Sequence, residues 1–151
     1  MRRKISRLRR LLHLPWRRRR LLVEAVFALA LAWVVIHTLP YRWLARMFRQ
    51  PVRRLEIQGE ARVYRIEEVR WAVDAATKGL PWRMVCFPRA LAAWWMLRRR
   101  DVAAALYCGA ATTLGRGLHT HVWLQDGAYG VVGAKEAQGF TLLARYSGVD
   151  K

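Results

Sequence analysis

Carboxylates are scarce in this chain. Its 151 residues hold 10 Asp plus Glu against 28 Lys plus Arg, a formal charge of +18. Cysteine is scarcer still, with only Cys86 and Cys108, which excludes the disulfide framework of a small secreted domain. No CxxC pair occurs and there are only four His, which leaves no set of ligands for a structural zinc site. Apolar residues are not lacking: 54% of the chain is hydrophobic and eight residues are Trp. That composition excludes a disordered chain despite the charge, and the length suits one compact domain.

The charge is unevenly placed. Residues 1–20 carry ten basic residues and no acid, so the rest carries 18 against 10, a net +8. A basic tail over 1–20, ending in Arg17 to Arg20, is suited to an anionic membrane or a nucleic acid, or simply to being solvated. Charge alone names no specific nucleic-acid partner.

An apolar and amphipathic helical segment over 21–50 follows. Ala25 to Ile36 is uninterrupted apolar sequence, which as a helix spans about 18 Å of a ~30 Å hydrocarbon core. Extending it from Leu21 to Leu39 gives about 28 Å but forces Glu24 and His37 to the interfaces. Arginines flank both ends, so the positive-inside rule gives no orientation. A packed or membrane-surface helix and a spanning one both remain open, with Tyr41 to Phe48 as an amphipathic extension.

Residues 51–151 form the remaining domain. Pro51 to Arg65 reads as a linker with one short strand. Ile66, Val69, Val73 and Ala76 predict a helix over 66–78, with Glu67 and Glu68 in its first turn and Gly79 to end it. Phe87 to Arg100 predicts a second, with Pro88 in its first turn and Ala90, Leu91, Trp94 and Leu97 on its apolar stripe. From Val102 onward the chain turns to short segments rich in β-branched and aromatic residues: VAAALYCG, LHTHVWLQ, AYGVVG and FTLLARY. Asp126-Gly127 marks a hairpin between the second and third. Helices followed by a small antiparallel sheet make an α+β domain.

The chemistry concentrates at two places. Cys86 stands at the start of the second helix, where unpaired backbone N–H groups and the dipole favour a thiolate, with Arg83 and Arg89 close in sequence. In LHTHVWLQ, strand alternation puts His119, His121 and Trp123 on one face and Leu118, Thr120, Val122 and Leu124 on the other. Either imidazole suits a thiol's base if the helix start packs against that face. Cysteine at a helix start with histidine on a later antiparallel strand is the layout of thiol proteases. Cys108, His13 and His37 have no visible role.

At these residues the chain resembles the leader peptidases of lasso-peptide biosynthesis, the B proteins or their protease half. The likeness rests on Trp82, Cys86, Arg89-Ala90-Leu91, Leu97-Arg98-Arg99, His121-Val122-Trp123 and the strand Phe140 to Tyr146, and covers roughly residues 20–146. It implies a transglutaminase-like or papain-like cysteine-protease core with an N-terminal apolar helix, and removal of the leader from a ribosomal precursor peptide without a cofactor. Cys86 is then the nucleophile and His121, which matches His-x-Trp where His119 does not, the general base and acid. Trp82 and Trp123 are expected near the substrate cleft.

One feature departs from that family. Its enzymes orient the histidine with an acid on the next strand, but Ala128 to Gly133 contains no acid or amide. Asp126 in the turn is the nearest substitute and Glu136 the next; a simple dyad is the third option. No precursor-recognition module is evident before the apolar helix, so a separate leader-binding protein is expected, with a lasso cyclase acting downstream. The expected location is cytoplasmic, with association at a membrane surface.

Overall fold

A computed structural model describes residues 14–48, 58–79, 85–113 and 117–147. Among these, four helices precede four strands: α1 (Trp16–Thr38), α2 (Tyr41–Phe48), α3 (Glu60–Gly79), α4 (Cys86–Arg98), β1 (Ala105–Thr113), β2 (Gly117–Asp126), β3 (Tyr129–Val132) and β4 (Thr141–Tyr146). The strands form one antiparallel sheet in the order β3-β2-β1-β4. This is the α+β architecture expected from the sequence.

α1 contains the apolar run and is long and apolar enough to cross a membrane. It nevertheless packs on α3 and α4 through Leu21, Ala25, Leu29 and Ala32, spaced three and four residues apart and all buried. Alanine on that stripe lets neighbouring helices approach closely, and Leu21 and Leu29 fill the space beside it. Glu24, which a spanning helix would have to bring to an interface, is instead gripped by Arg100 beyond α4, at 3.0 and 2.6 Å. That bidentate hydrogen bond holds the Glu24 carboxyl below the usual carboxylate range, against the opposing effect of burial. Pro40 ends the helix by forcing Leu39 into an extended conformation.

The arginine block of the expected basic tail is helical from Arg17 onward and partly engaged with α3. Arg17 lies 3.5 Å from Glu68 and over the ring of Tyr64, while Arg18 lies over Trp71. The short helix α2 buries Leu44 and Phe48. Phe48 meets Trp94 edge-on at 5.1 Å and lies near Phe87 and Tyr146, joining α2 to α4 and β4.

α3 begins six residues before the expected start, at Glu60 rather than Ile66. Its buried positions begin only at Ile66 and continue through Val69, Ala72, Val73 and Ala76, so the first turns lack the apolar period that would announce them. Arg62 anchors those turns instead, by reaching across to the sheet. α4 runs from Cys86 to Arg98. It ends in a turn with Asp101 at φ 56° and the Val102 N–H bonded to the Leu97 carbonyl, which closes the helix.

The two faces of the sheet have different roles. Leu106 and Cys108 of β1, with their partners Leu124 and Val122 of β2, lie on the face that packs on the helices, where Leu106 and Leu124 are fully buried. Tyr107 and Gly109, with Trp123 and His121, lie on the opposite face. There Tyr107 and Trp123 stack at 5.7 Å, and Trp123 is buried outside the main core. From β3 at one edge, the chain must cross this second face to reach β4 at the other.

Candidate functional site

Cys86 is the first residue of α4. Val85 before it is extended and makes no side-chain cap, and Pro88 in the first turn has no N–H to satisfy. The first turn of α4 therefore offers N–H groups that no capping side chain occupies. Cys86 is half-buried, and Val85 beside it is 63% exposed, so the thiol lies at the surface end of a buried helix. Cys108 on β1 is close enough to feel it: burial pushes the Cys108 thiol up, and Cys86 adds to the effect. Cys108 pairs with Val122, the residue after His121, and Gly109 pairs with His121 itself.

His121 points to the face away from α4. The sequence reading required the helix start to pack on the His119, His121 and Trp123 face, and the structure corrects this. Val122 and Leu124 are the apolar members of β2, so they take the helices and leave the imidazoles and the indole to the other side. His121 nevertheless lies near the margin of the sheet, because β3 pairs with β2 only at Leu124, Gln125 and Asp126. Its ring is stacked on Trp123 at 5.9 Å and tilted against Phe140 at 5.2 Å.

The partner that orients this ring is not a carboxylate. His121 Nε2 lies 2.8 Å from the carbonyl oxygen of Gly133. A carbonyl only accepts, so Nε2 carries the hydrogen, and in the neutral ring Nδ1 is the basic nitrogen. Gly133 lies at φ +72°, and a Cβ there would meet Nε2 at 3.2 Å. The close approach of chain and ring therefore depends on glycine at this position. Sequence reasoning missed Gly133 because a main-chain acceptor has no side-chain signature. The positive-φ glycine just after a strand is the one trace of it.

Asp126, expected as the third member, is not brought to His121. Both its oxygens are held by Arg62, at 2.6 Å from Nε and 2.5 Å from Nη2, and Arg62 also donates to the Ala103 carbonyl at 3.1 Å. This mostly buried ion pair ties the end of β2 to the start of α3, which is a structural task. Glu136, the other acid considered, lies on the rim of a groove at the β3 edge. Among the described residues neither Cys86, Asp126 nor Glu136 hydrogen-bonds to His121. His119 shares its face, and its Nε2 is buried without a hydrogen-bond partner among the described residues. Trp123 lies beside His121 and donates to Gln125 at 2.9 Å, whereas Trp82 and Arg83 fall outside the described residues.

These groups amount to a thiol at an uncapped helix start, near Cys108 of β1, and an imidazole with a fixed tautomer on the opposite face of the adjoining strand. No group of His, Cys, Asp or Glu among the described residues could hold a metal ion. Comparison with known proteins agrees with this architecture: the family model described as transglutaminase-like superfamily matches residues 21–145, from within α1 to the last strand. No curated protein and no solved structure matches the chain.

Proposed function

The chain belongs to the transglutaminase-like superfamily, and from that membership we propose that it is a cysteine peptidase removing the leader from a ribosomally made lasso-peptide precursor. The observation that carries this reading is Cys86 as the first residue of α4, near Cys108 of β1, whose next residue Gly109 pairs with His121. The His-x-Trp strand and the Arg-Ala-Leu sequence after the cysteine support that activity within the superfamily.

The reaction follows from the groups. Cys86 and His121 lie on opposite sides of β2, with no direct hydrogen bond between them among the described residues. In this reading the Cys86 thiol proton passes to His121 Nδ1 once substrate binding closes the pair, and the sulfur attacks the scissile carbonyl to form a tetrahedral intermediate. Backbone N–H groups of the first turn of α4 stabilise its oxyanion. The proton held on His121 passes to the leaving amine, and the acyl-enzyme is released by water. The Gly133 carbonyl takes the orienting role usually given to an acid, as it fixes the hydrogen on Nε2 and leaves Nδ1 to do the chemistry. The catalytic set is then a dyad, Cys86 and His121, with a main-chain acceptor behind the histidine. Acyl transfer to an amine uses the same dyad, and a product carrying water rather than an amine adduct marks the peptidase.

The test is cleavage of the precursor by the full chain with its partner proteins present. Cys86→Ala and His121→Ala abolish cleavage while circular dichroism stays unchanged, and His119→Ala retains it. Cleavage by Cys86→Ala overturns the mechanism. A separate leader-binding protein presents the precursor in this reading, and a lasso cyclase consumes the product.

The outer face of α1 bears on where this happens. Val23, Phe27, Leu31 and Val34 are exposed along it, with Arg19, Arg20 and Arg42 exposed near its ends. We infer a peripheral seat on an anionic membrane from the cytoplasmic side, with the inner face of α1 remaining on the domain. Flotation with phosphatidylserine vesicles that is lost in Phe27→Glu supports it, and flotation of neither protein refutes it.

A further inference from the structure

β3 is an outer strand, so one edge of its backbone ladder is unpaired among the described residues. Facing that edge across a groove of about 450 Å³ are Arg70 and Asp74 of α3 and Arg89 of α4. The groove runs on to Gly133, whose carbonyl holds His121, and to Lys135 on the rim. Arg89 follows Cys86 by three residues, about one helical turn. The groove is thus lined by Arg89, one turn along the helix from Cys86, and by Gly133, the acceptor of His121, though by neither member of the proposed dyad itself.

Its chemistry is selective. Arg89 Nη2 donates to Asp74 at 2.8 Å, but Arg89 Nε is buried and has no hydrogen-bond partner among the described residues. A buried guanidinium N–H without an acceptor is costly, and because the Arg89 side chain is itself partly exposed, a small rotation that presents Nε to a ligand oxygen in the groove removes the penalty. The charges are largely paired at rest, Arg70 with Glu67 at 3.3 Å and Arg89 with Asp74 at 2.8 Å, so the donors left for an anion are Arg89 Nε and the rim residue Lys135. Lys135 is exposed and has no ion pair among the described residues.

We propose that this groove binds the peptide substrate as an extended strand along the free edge of β3, with Arg89 Nε reading a carboxylate side chain of that peptide. Main-chain hydrogen bonds to the strand edge supply sequence-independent affinity, and the Arg89 contact supplies specificity for Asp or Glu. This rests on the peptidase reading for the identity of the ligand as a substrate, but the binding itself does not depend on catalysis.

The experiment separates the two. Binding is measured by fluorescence anisotropy on the full-length Cys86→Ala protein, with two fluorescein-labelled Thr/Val/Gly hexapeptides that differ only by Glu or Gln at a central position. A second such pair moves the variable residue by one position, to allow for alternation along a strand. The expected result is a preference for Glu of about tenfold or more in one of the pairs. That preference falls to near unity when Arg89→Met is added and is reduced by Lys135→Glu. Lys135 is exposed, so its variant decides the matter should Arg89→Met fail to fold. Equal binding of Glu and Gln peptides in both pairs, or a preference untouched by the substitutions, overturns the proposal. Loss of cleavage reading alone, with the Glu preference intact, would refute the peptidase and leave the groove a carboxylate-reading peptide site.

Discussion

Gly109 offers the sharpest test of how the His121 face is built. It pairs with His121 across β1 and β2, and the indole of Trp123 lies directly over it. A Cβ at this position would meet Trp123 Cζ3 at 2.9 Å, Cη2 at 3.0 Å and the Thr141 carbonyl oxygen at 3.0 Å. Two of the three obstacles belong to a buried ring and one to the backbone of β4, so none can yield cheaply. Inserting a methyl into a packed site of this kind costs about 1–3 kcal/mol. The lost unfolded-state freedom of glycine returns about 0.4–1 kcal/mol. Gly109→Ala should therefore destabilise by roughly 1–2 kcal/mol, a fall in Tm of about 2–8 °C for a chain of this size. The assay is thermal unfolding followed by circular dichroism, with tryptophan fluorescence to report movement of the indole. In the double variant with Trp123→Phe two of the three obstructing atoms are gone and only the Thr141 carbonyl remains, so the two costs should be less than additive. A Gly109→Ala protein with unchanged Tm, or fully additive costs, would refute the packing argument.

Three further outcomes follow from contacts elsewhere. Asp126→Asn removes the charge that holds Arg62 in a mostly buried pair, and urea denaturation should show a loss of about 3 kcal/mol; precursor cleavage at low temperature should persist, whereas its abolition in a folded protein would restore Asp126 to the catalytic set. Glu24 has its carboxyl lowered by Arg100, so its stabilising contribution is complete above the unfolded-state pKa and fades as pH falls through the folded-state value. The stability gap between wild type and Glu24→Gln, by urea melts at pH 7 and pH 3, should accordingly narrow at pH 3. Cys108 has its thiol raised by burial and by Cys86; iodoacetamide at pH 8 should therefore label Cys108 faster in Cys86→Ser than in the parent, by quantitative mass spectrometry, and an unchanged rate would refute their proximity.

The parts of the fold legible in the sequence are those in which local chemistry and packing coincide. α4 is an example: Pro88 in its first turn and the stripe Ala90, Leu91, Trp94 and Leu97 both start and bury it. The four strand segments were readable from their glycine-separated apolar runs, as was the hairpin after Asp126. α1 was ambiguous because a helix apolar nearly all round shows no preferred face. What selects its buried stripe is side-chain size against α3 and α4, which becomes visible only in three dimensions. The start of α3 was hidden because Arg62 is held by Asp126, 64 residues away. Alternation correctly grouped His119, His121 and Trp123, but the side facing the helices was decided by Val122 and Leu124. The acceptor behind His121 was illegible because it belongs to the main chain.

The crossing from β3 to β4 is tied to the same ring at both ends, by the Gly133 carbonyl and by Phe140. Between these anchors the six residues 134–139 make turns and span a fixed gap over the sheet. Such a segment should accept many exchanges of side chain but very few changes of length. One residue added or removed would pull either Gly133 or Phe140 off the imidazole, and the ring would lose its aim while every strand remained in place. In a comparison of many such chains, substitutions would be frequent in this stretch and gaps rare, and the spacing between its anchors would persist after its letters had changed.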